Sequence, residues 1–162
     1  MGRREELLRA EDAGWRELND LIGGLSDEEV ERPGYAPDGW SVKDLMWHVA
    51  CWSADCVRAL EQMRAGTFTG ATIDEDTEVV NRRWFERSRG LDLGTVRAEW
   101  FASRTMLVER FSAFEPLTPD ADEWFDETGP LHYLKHLDTL RAWVAQLTQP
   151  RTEIPDPPEG RP

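Results

Sequence analysis

His48, His132 and His136 are the three histidines of the chain, and their placement carries more chemistry than any other residue set in it. His132 and His136 are four residues apart, which on a helix sets both rings on one face, about 6 Å apart along the axis. That spacing lets two imidazoles meet a single metal ion. The same face continues through Leu140, Trp143 and Leu147, so both rings lie along an apolar stripe rather than in water. His48 has a similar setting between Leu45 and Trp52. A lone histidine on such a stripe is most often a packed core ring with one nitrogen on a backbone carbonyl. Three together must enter the core uncharged, two of them at ligand spacing, and a shared cation offsets that cost. From the residues alone two readings stand: separate core imidazoles, or one three-histidine metal site. The second requires a helix pairing that sets His48 opposite the other two.

The elements that must provide such a pairing are helical. Apolar residues recur at intervals of three and four, and no Asn-Gly or Asp-Gly turn separates two β-branched runs, an all-α pattern. Leu8, Trp15, Leu18, Ile22 and Leu25 trace the seam of a first helix over residues 5–23, ended by Gly23-Gly24. A short turn covers 26–30, and Pro33, Gly34, Pro37 and Gly39 break the chain before Trp40. Ser41 and Asp44 form an N-cap pair that opens a second helix over 42–65. Its buried face is Leu45, Val49, Trp52, Cys56, Leu60 and Met63, with Gly66 just past its end.

A third helical stretch begins near Asp76, is interrupted at Arg89-Gly90, and resumes from Leu93 through Val96, Trp100, Leu107, Phe111 and Phe114, with Asp92 as its cap. The acidic segment 120–127 is expected to be a surface connection anchored by Trp124-Phe125. Pro130 opens the last helix, where a missing N–H costs nothing. The expected fold is an all-α four-helix bundle over residues 1–148 with a broken third helix. A disordered proline-rich tail is expected over 149–162, where half of the ten prolines fall.

With 162 residues, 40% of them apolar, the chain has room for one core. Acidic residues outnumber basic ones 32 to 19, and a net charge of -13 argues against nucleic acid or an anionic membrane as partner. No apolar run approaches the roughly 20 residues of a membrane span, and the charged start has no apolar stretch behind it, so a soluble, cytoplasmic protein is expected. Cys51 and Cys56, five apart on one helix, point to different sides and cannot reach disulfide geometry. They read as small buried hydrophobes in a reducing compartment.

The run Gly39-Trp40-Ser41-Val42-Lys43-Asp44-Leu45-Met46-Trp47-His48-Val49, followed much later by His132-Tyr133-Leu134-Lys135-His136-Leu137, resembles the DinB-like superfamily of four-helix bundles in order and spacing. That superfamily includes thiol-dependent metalloenzymes such as mycothiol-dependent maleylpyruvate isomerase and the ClbS/DfsB group of detoxifying proteins. The middle of the chain, Asn81-Arg82-Arg83-Trp84-Phe85-Glu86 with Leu91-Asp92-Leu93 and Val108-Glu109-Arg110-Phe111, is most similar to the ClbS/DfsB group. The likeness covers about residues 5 to 147. In metal-binding members one histidine of the second helix and an HxxxH pair of the fourth hold a divalent ion, and the matching positions are His48, His132 and His136. Where ClbS/DfsB members often carry Glu after the tryptophan of the second helix, this chain has Ser53 after Trp52.

Three neutral imidazoles leave a coordination position open, as catalytic rather than structural zinc sites do. Zinc or nickel suits such a donor set, with iron or manganese if waters join. The ion could acidify a bound water, activate a low-molecular-weight thiol such as mycothiol or bacillithiol, or polarise a carbonyl. Asp55, two turns beyond His48, is a candidate acceptor behind a ligand or a general base; its alternative is an arginine-paired carboxylate. Arg82-Arg83 could take an anion or form an exposed face, and Trp47 sits a residue off the helix seam. The function implied is a metalloenzyme acting on a small molecule, a thiol-dependent transferase or isomerase, or a hydrolase. The alternatives are a ClbS/DfsB-like protein that destroys or sequesters a reactive metabolite without metal, or a non-catalytic binding bundle. A homodimer is expected on the resemblance.

Overall fold

The computed structural model describes residues 2–36 and 38–148. Among them are seven helices: α1 (Arg3–Gly23), α2 (Asp27–Glu31), α3 (Val42–Ala65), α4 (Thr77–Ser88), α5 (Leu93–Ser112), α6 (Pro119–Thr128) and α7 (Pro130–Thr148). The long ones, α1, α3, α5 and α7, make the bundle: α3 packs along α5 and α1 along α7, while α4 and α6 lie against α3 and α6 also against α7. Among the described residues the backbones of α3 and α7 seldom come close. The space between them is bridged by side chains. No described helix is long and apolar enough to cross a membrane. The stretch 149–162, expected to be a loose tail, lies outside the described residues.

Local chemistry sets the ends of α3, and so the height of His48. Ser41 Oγ accepts from the Asp44 N–H at 3.3 Å while Asp44 accepts from the Ser41 N–H at 2.8 Å, a reciprocal cap that satisfies two helix-start donors. At the other end Gly66 adopts φ +67, the left-handed turn that a side chain would strain. Asp44 also accepts from Ser88 Oγ, which ties the end of α4 to the start of α3. The expected break in the third helix is there: α4 stops at Ser88, and α5 starts anew with Asp92 accepting from the Thr95 N–H at 2.9 Å.

Two apolar clusters fill the bundle. One gathers Trp15, Leu18, Leu45, Val49, Trp100 and Leu137, with Trp15 stacked on Trp100 at 4.1 Å between ring centroids. The other gathers Leu7, Cys56, Leu60, Leu107, Phe111 and Phe125. Leu7, rather than the expected Leu8, is the fully buried residue of the first turns of α1. Close contact between α1 and α7 depends on Gly14, where a Cβ would stand 3.0 Å from the Tyr133 ring. Tyr133 in turn donates to Glu11 at 3.1 Å, and the wholly buried Glu11 accepts a two-pronged contact from Arg104 at 2.9 and 2.8 Å.

One expectation needs correcting. Residues 120–127 are not a surface connection but the body of α6, capped by Thr118 and opened by Pro119 at its first turn. Its acidic residues are exposed or half-buried, whereas Ala121, Phe125 and Thr128 form a buried stripe at helical spacing. Phe125 is fully buried and stacks on Phe111 at 3.7 Å between centroids. Phe125→Ala is therefore expected to lower unfolding free energy by about 3–5 kcal/mol, while Glu123→Ala changes it by no more than about 0.5 kcal/mol. Urea denaturation of the two variants checks this; equal midpoints would return 120–127 to a mere connector.

Candidate metal centre

His48 projects from α3, and His132 and His136 from the first two turns of α7, so the triad spans the gap between those helices. The structure brings all three together: the Nε2 atoms of His48 and His132 are 2.9 Å apart, and those of His136 and His132 are 3.1 Å apart. One nitrogen from each ring lies within 4.8 Å of the other two. Trp40 packs edge-on against His48 at 5.2 Å and stacks on Phe85 of α4, which fixes the plane of the His48 ring. His48 and His132 are buried, and His136 is partly so.

Burial decides the charge of these rings. Removal from water, reinforced by the neighbouring imidazoles, holds His48 well below its ordinary value. His132 is pushed down to about 3, chiefly by burial, with His136 and the Lys135 ammonium adding to it. His136 is pushed down to about 4 by burial and then by Lys135. All three are neutral at physiological pH, the state in which an imidazole offers a lone pair. Tyr35 places its hydroxyl 3.2 Å from His136 Nδ1. When Nδ1–H donates to that oxygen, the Nε2 lone pair faces the other rings. Lone pairs converging in a poorly solvated site repel one another unless a ring N–H or a cation lies among them. Imidazole nitrogens sharing one zinc ion through bonds of ~2.0–2.1 Å stand roughly 3.0–3.4 Å apart, and two of the three separations here, 2.9 and 3.1 Å, are close to that. The donor set fits a divalent ion.

The triad lines one wall of a cavity of about 670 Å³. Trp52 and Asn81 stand beside it, joined by a 3.0 Å bond from the indole N–H to the amide oxygen. Phe68 and Trp124, which also line it, meet edge to face at 5.7 Å. Lys135, at the rim, lies 3.1 Å from Glu127. An opening of this size beside the imidazoles suits a small molecule.

Asp55 is not brought to the triad. It is buried, but its oxygens accept from Arg58 on its own helix and from Thr72 Oγ1 at 2.5 Å, so it fastens the chain between α3 and α4. Arg83 pairs with Glu75 on an exposed face, and Trp47 lies under the Arg87 guanidinium at 5.8 Å. Both cysteines are free thiols, pushed up to about 12 by burial first of all. Sequence reasoning missed Tyr35 and the α6 wall of the cavity. Tyr35 sits among Pro33, Gly34 and Gly39, where only its being an aromatic residue amid chain breakers hinted at an anchored loop.

The depressed imidazoles set an acid limit on the metal-free protein. Their folded values lie below the ordinary 6.5, so the unfolded chain binds more protons between the two values, and stability rises with pH there. That contribution is complete above about pH 6.5 and is lost as pH falls towards about 4 and 3. With chelator-treated protein the urea midpoint is expected to hold steady above about pH 7 and to fall between about pH 6.5 and 5, where carboxylates contribute little. His136→Gln should flatten that slope; an unchanged slope would mean that the rings are not desolvated.

The family model described as mycothiol maleylpyruvate isomerase N-terminal domain matches residues 12–148. No curated protein and no solved structure matches the chain. The match takes in all three histidines, both helices that carry them and the helices that close the cavity. The chain belongs to the mycothiol maleylpyruvate isomerase N-terminal domain family, a DinB-like family.

Proposed function

We propose that this chain is a divalent-metal enzyme that acts on a small molecule with the help of a low-molecular-weight thiol, mycothiol by the name of its family. The observation that carries the reading is the convergence of three neutral imidazole nitrogens on one wall of a cavity. His48, His132 and His136 would hold the ion, with zinc or nickel best suited to the imidazole set. The ion supplies Lewis acidity and a lowered pKa for a bound thiol or water.

The chain's own residues do the rest. Burial keeps the ligand nitrogens unprotonated, so no proton has to be displaced at neutral pH. Tyr35 stands 3.2 Å from His136 Nδ1, and in the tautomer whose Nδ1–H donates to its hydroxyl the ring's Nε2 lone pair is held inward. Trp40, itself stacked on Phe85, packs edge-on against His48. Trp52, Phe68 and Trp124 give the cavity apolar surface beside the triad against which a small molecule can pack. Asp55 has no step in this proposal.

The decisive comparison is elemental analysis of tag-free wild type beside His136→Ala and Tyr35→Phe, followed by a screen for thiol-dependent transfer and isomerisation. Near-stoichiometric metal is expected in wild type and none in His136→Ala. Tyr35→Phe should keep the site but bind the ion about 10-fold more weakly. Chelation should abolish turnover. Failure to take up zinc, nickel, iron or manganese on reconstitution would contradict the proposal, and activity that survives complete chelation would favour a metal-free protective protein.

A further inference from the structure

Asn81 and Trp52 form a polar pair in the wall of the cavity, and the chemistry of the pair fixes which way the amide faces. An indole N–H can only donate. The 3.0 Å bond from Trp52 Nε1 therefore claims the amide oxygen of Asn81 and leaves the two amide N–H groups as its unspent capacity. The indole is itself held in place, because Trp84, three residues beyond Asn81 on α4, meets it edge to face at 5.0 Å and 78° between ring planes. Asn81 and Trp84 thus share a face of α4 and grip one ring of α3. Thr77, a turn before Asn81, lines the cavity as well, so this face of α4 belongs to its wall. Trp52 follows His48 by four residues on α3, and both line the cavity. The anchor of the amide is one helical turn from a member of the triad.

Asn19, the other asparagine of the chain, supplies a comparison. It too accepts from an indole, Trp100 Nε1 at 3.3 Å, but it does not line the cavity. Trp100 is a core ring, 1% exposed, whose N–H has to find a partner inside the protein. Trp52 is only half-buried and stands beside an opening where water can serve its N–H, so satisfying the indole does not by itself call for an amide at position 81. What the pair adds is an uncharged donor held in one orientation. Such a donor suits an oxygen that only accepts, a carboxylate or ketone oxygen. We propose that Asn81, oriented by Trp52, binds an acceptor oxygen of the small molecule and so sets which end of that molecule meets the triad. That the molecule is the reactant rests on the function proposed above; the donor role of the amide does not.

Because the chain has two asparagines, protein labelled with nitrogen-15 in asparagine alone gives two pairs of side-chain amide resonances, and Asn81→Asp assigns them. Maleate, whose oxygens only accept, is titrated into the full chain with and without zinc, beside cis-but-2-ene-1,4-diol, which has the same carbon skeleton and no carboxylate. The metal content of each sample is measured. Maleate is expected to move the Asn81 amide protons downfield and to leave those of Asn19 in place, and the diol at equal concentration to move neither. In Asn81→Asp one carboxylate oxygen still accepts from Trp52 while the other replaces the donor, so maleate should bind about tenfold or more weakly. Trp52→Phe keeps a ring but frees the amide; it should displace the Asn81 resonances before any ligand is added and weaken maleate by about threefold. Asn81 resonances that ignore maleate, an equal response from Asn19 or to the diol, or an Asn81→Asp protein that binds maleate as tightly as wild type would overturn the proposal. A maleate response at Asn81 in protein that refuses metal would defeat the metal reading alone, and zinc-loaded protein without that response would defeat this one alone.

Discussion

Keeping three imidazoles uncharged in a bundle core is the constraint on which the rest of this structure depends. A ring in water would be substantially protonated near its ordinary value of 6.5, and a protonated ring binds no metal. Burial by α3, α6 and α7 removes that option and leaves lone pairs in a space they share. The arrangement is costly for the empty protein, which loses folding free energy when acid charges the rings. It is favourable once a cation accepts the lone pairs, so metal affinity and fold stability are linked through the same atoms.

Precise placement of those atoms is a task for the whole scaffold rather than for the site. The backbones of α3 and α7 stand apart, so each must be located by its other neighbours. The reciprocal cap at Ser41 and Asp44 and the contact with Ser88 set the start of α3. The absence of a side chain at Gly14 lets Tyr133 settle against α1, and Tyr133 adjoins His132 in sequence. Glu11, held by Arg104 and Tyr133, joins α1, α5 and α7 through one buried carboxylate. A charge so placed is stable only while all its partners remain, which makes the register of α7 hard to change.

Much of this was legible in the residues. The limits of α3 followed from a capping pair and a glycine, both local signals, and the 42–65 helix runs as the pattern predicted. The HxxxH spacing placed two rings on one face without any knowledge of the fold. The encounter with His48 was legible only through the family resemblance, because sequence periodicity says which face a residue takes and not which helix it will meet. The acidic residues of α6 hid the stripe of Ala121, Phe125 and Thr128, since a short helix with so many charges reads as a loop. Tyr35 was invisible for a related reason: its partner His136 is 101 residues away, and no local pattern reports such a contact. Asp55 shares roughly a face with His48, yet the chain between α3 and α4 folds back and claims its oxygens through Thr72.

Because the proposed function turns on what the three nitrogens hold, the most direct measurement is X-ray absorption at the zinc edge of the reconstituted protein. Scattering from three imidazoles at nitrogen distances of ~2.0–2.1 Å, with no sulfur shell from Cys51 or Cys56, is the result this account predicts. A spectrum with one imidazole or none, or with sulfur in the inner shell, would contradict it.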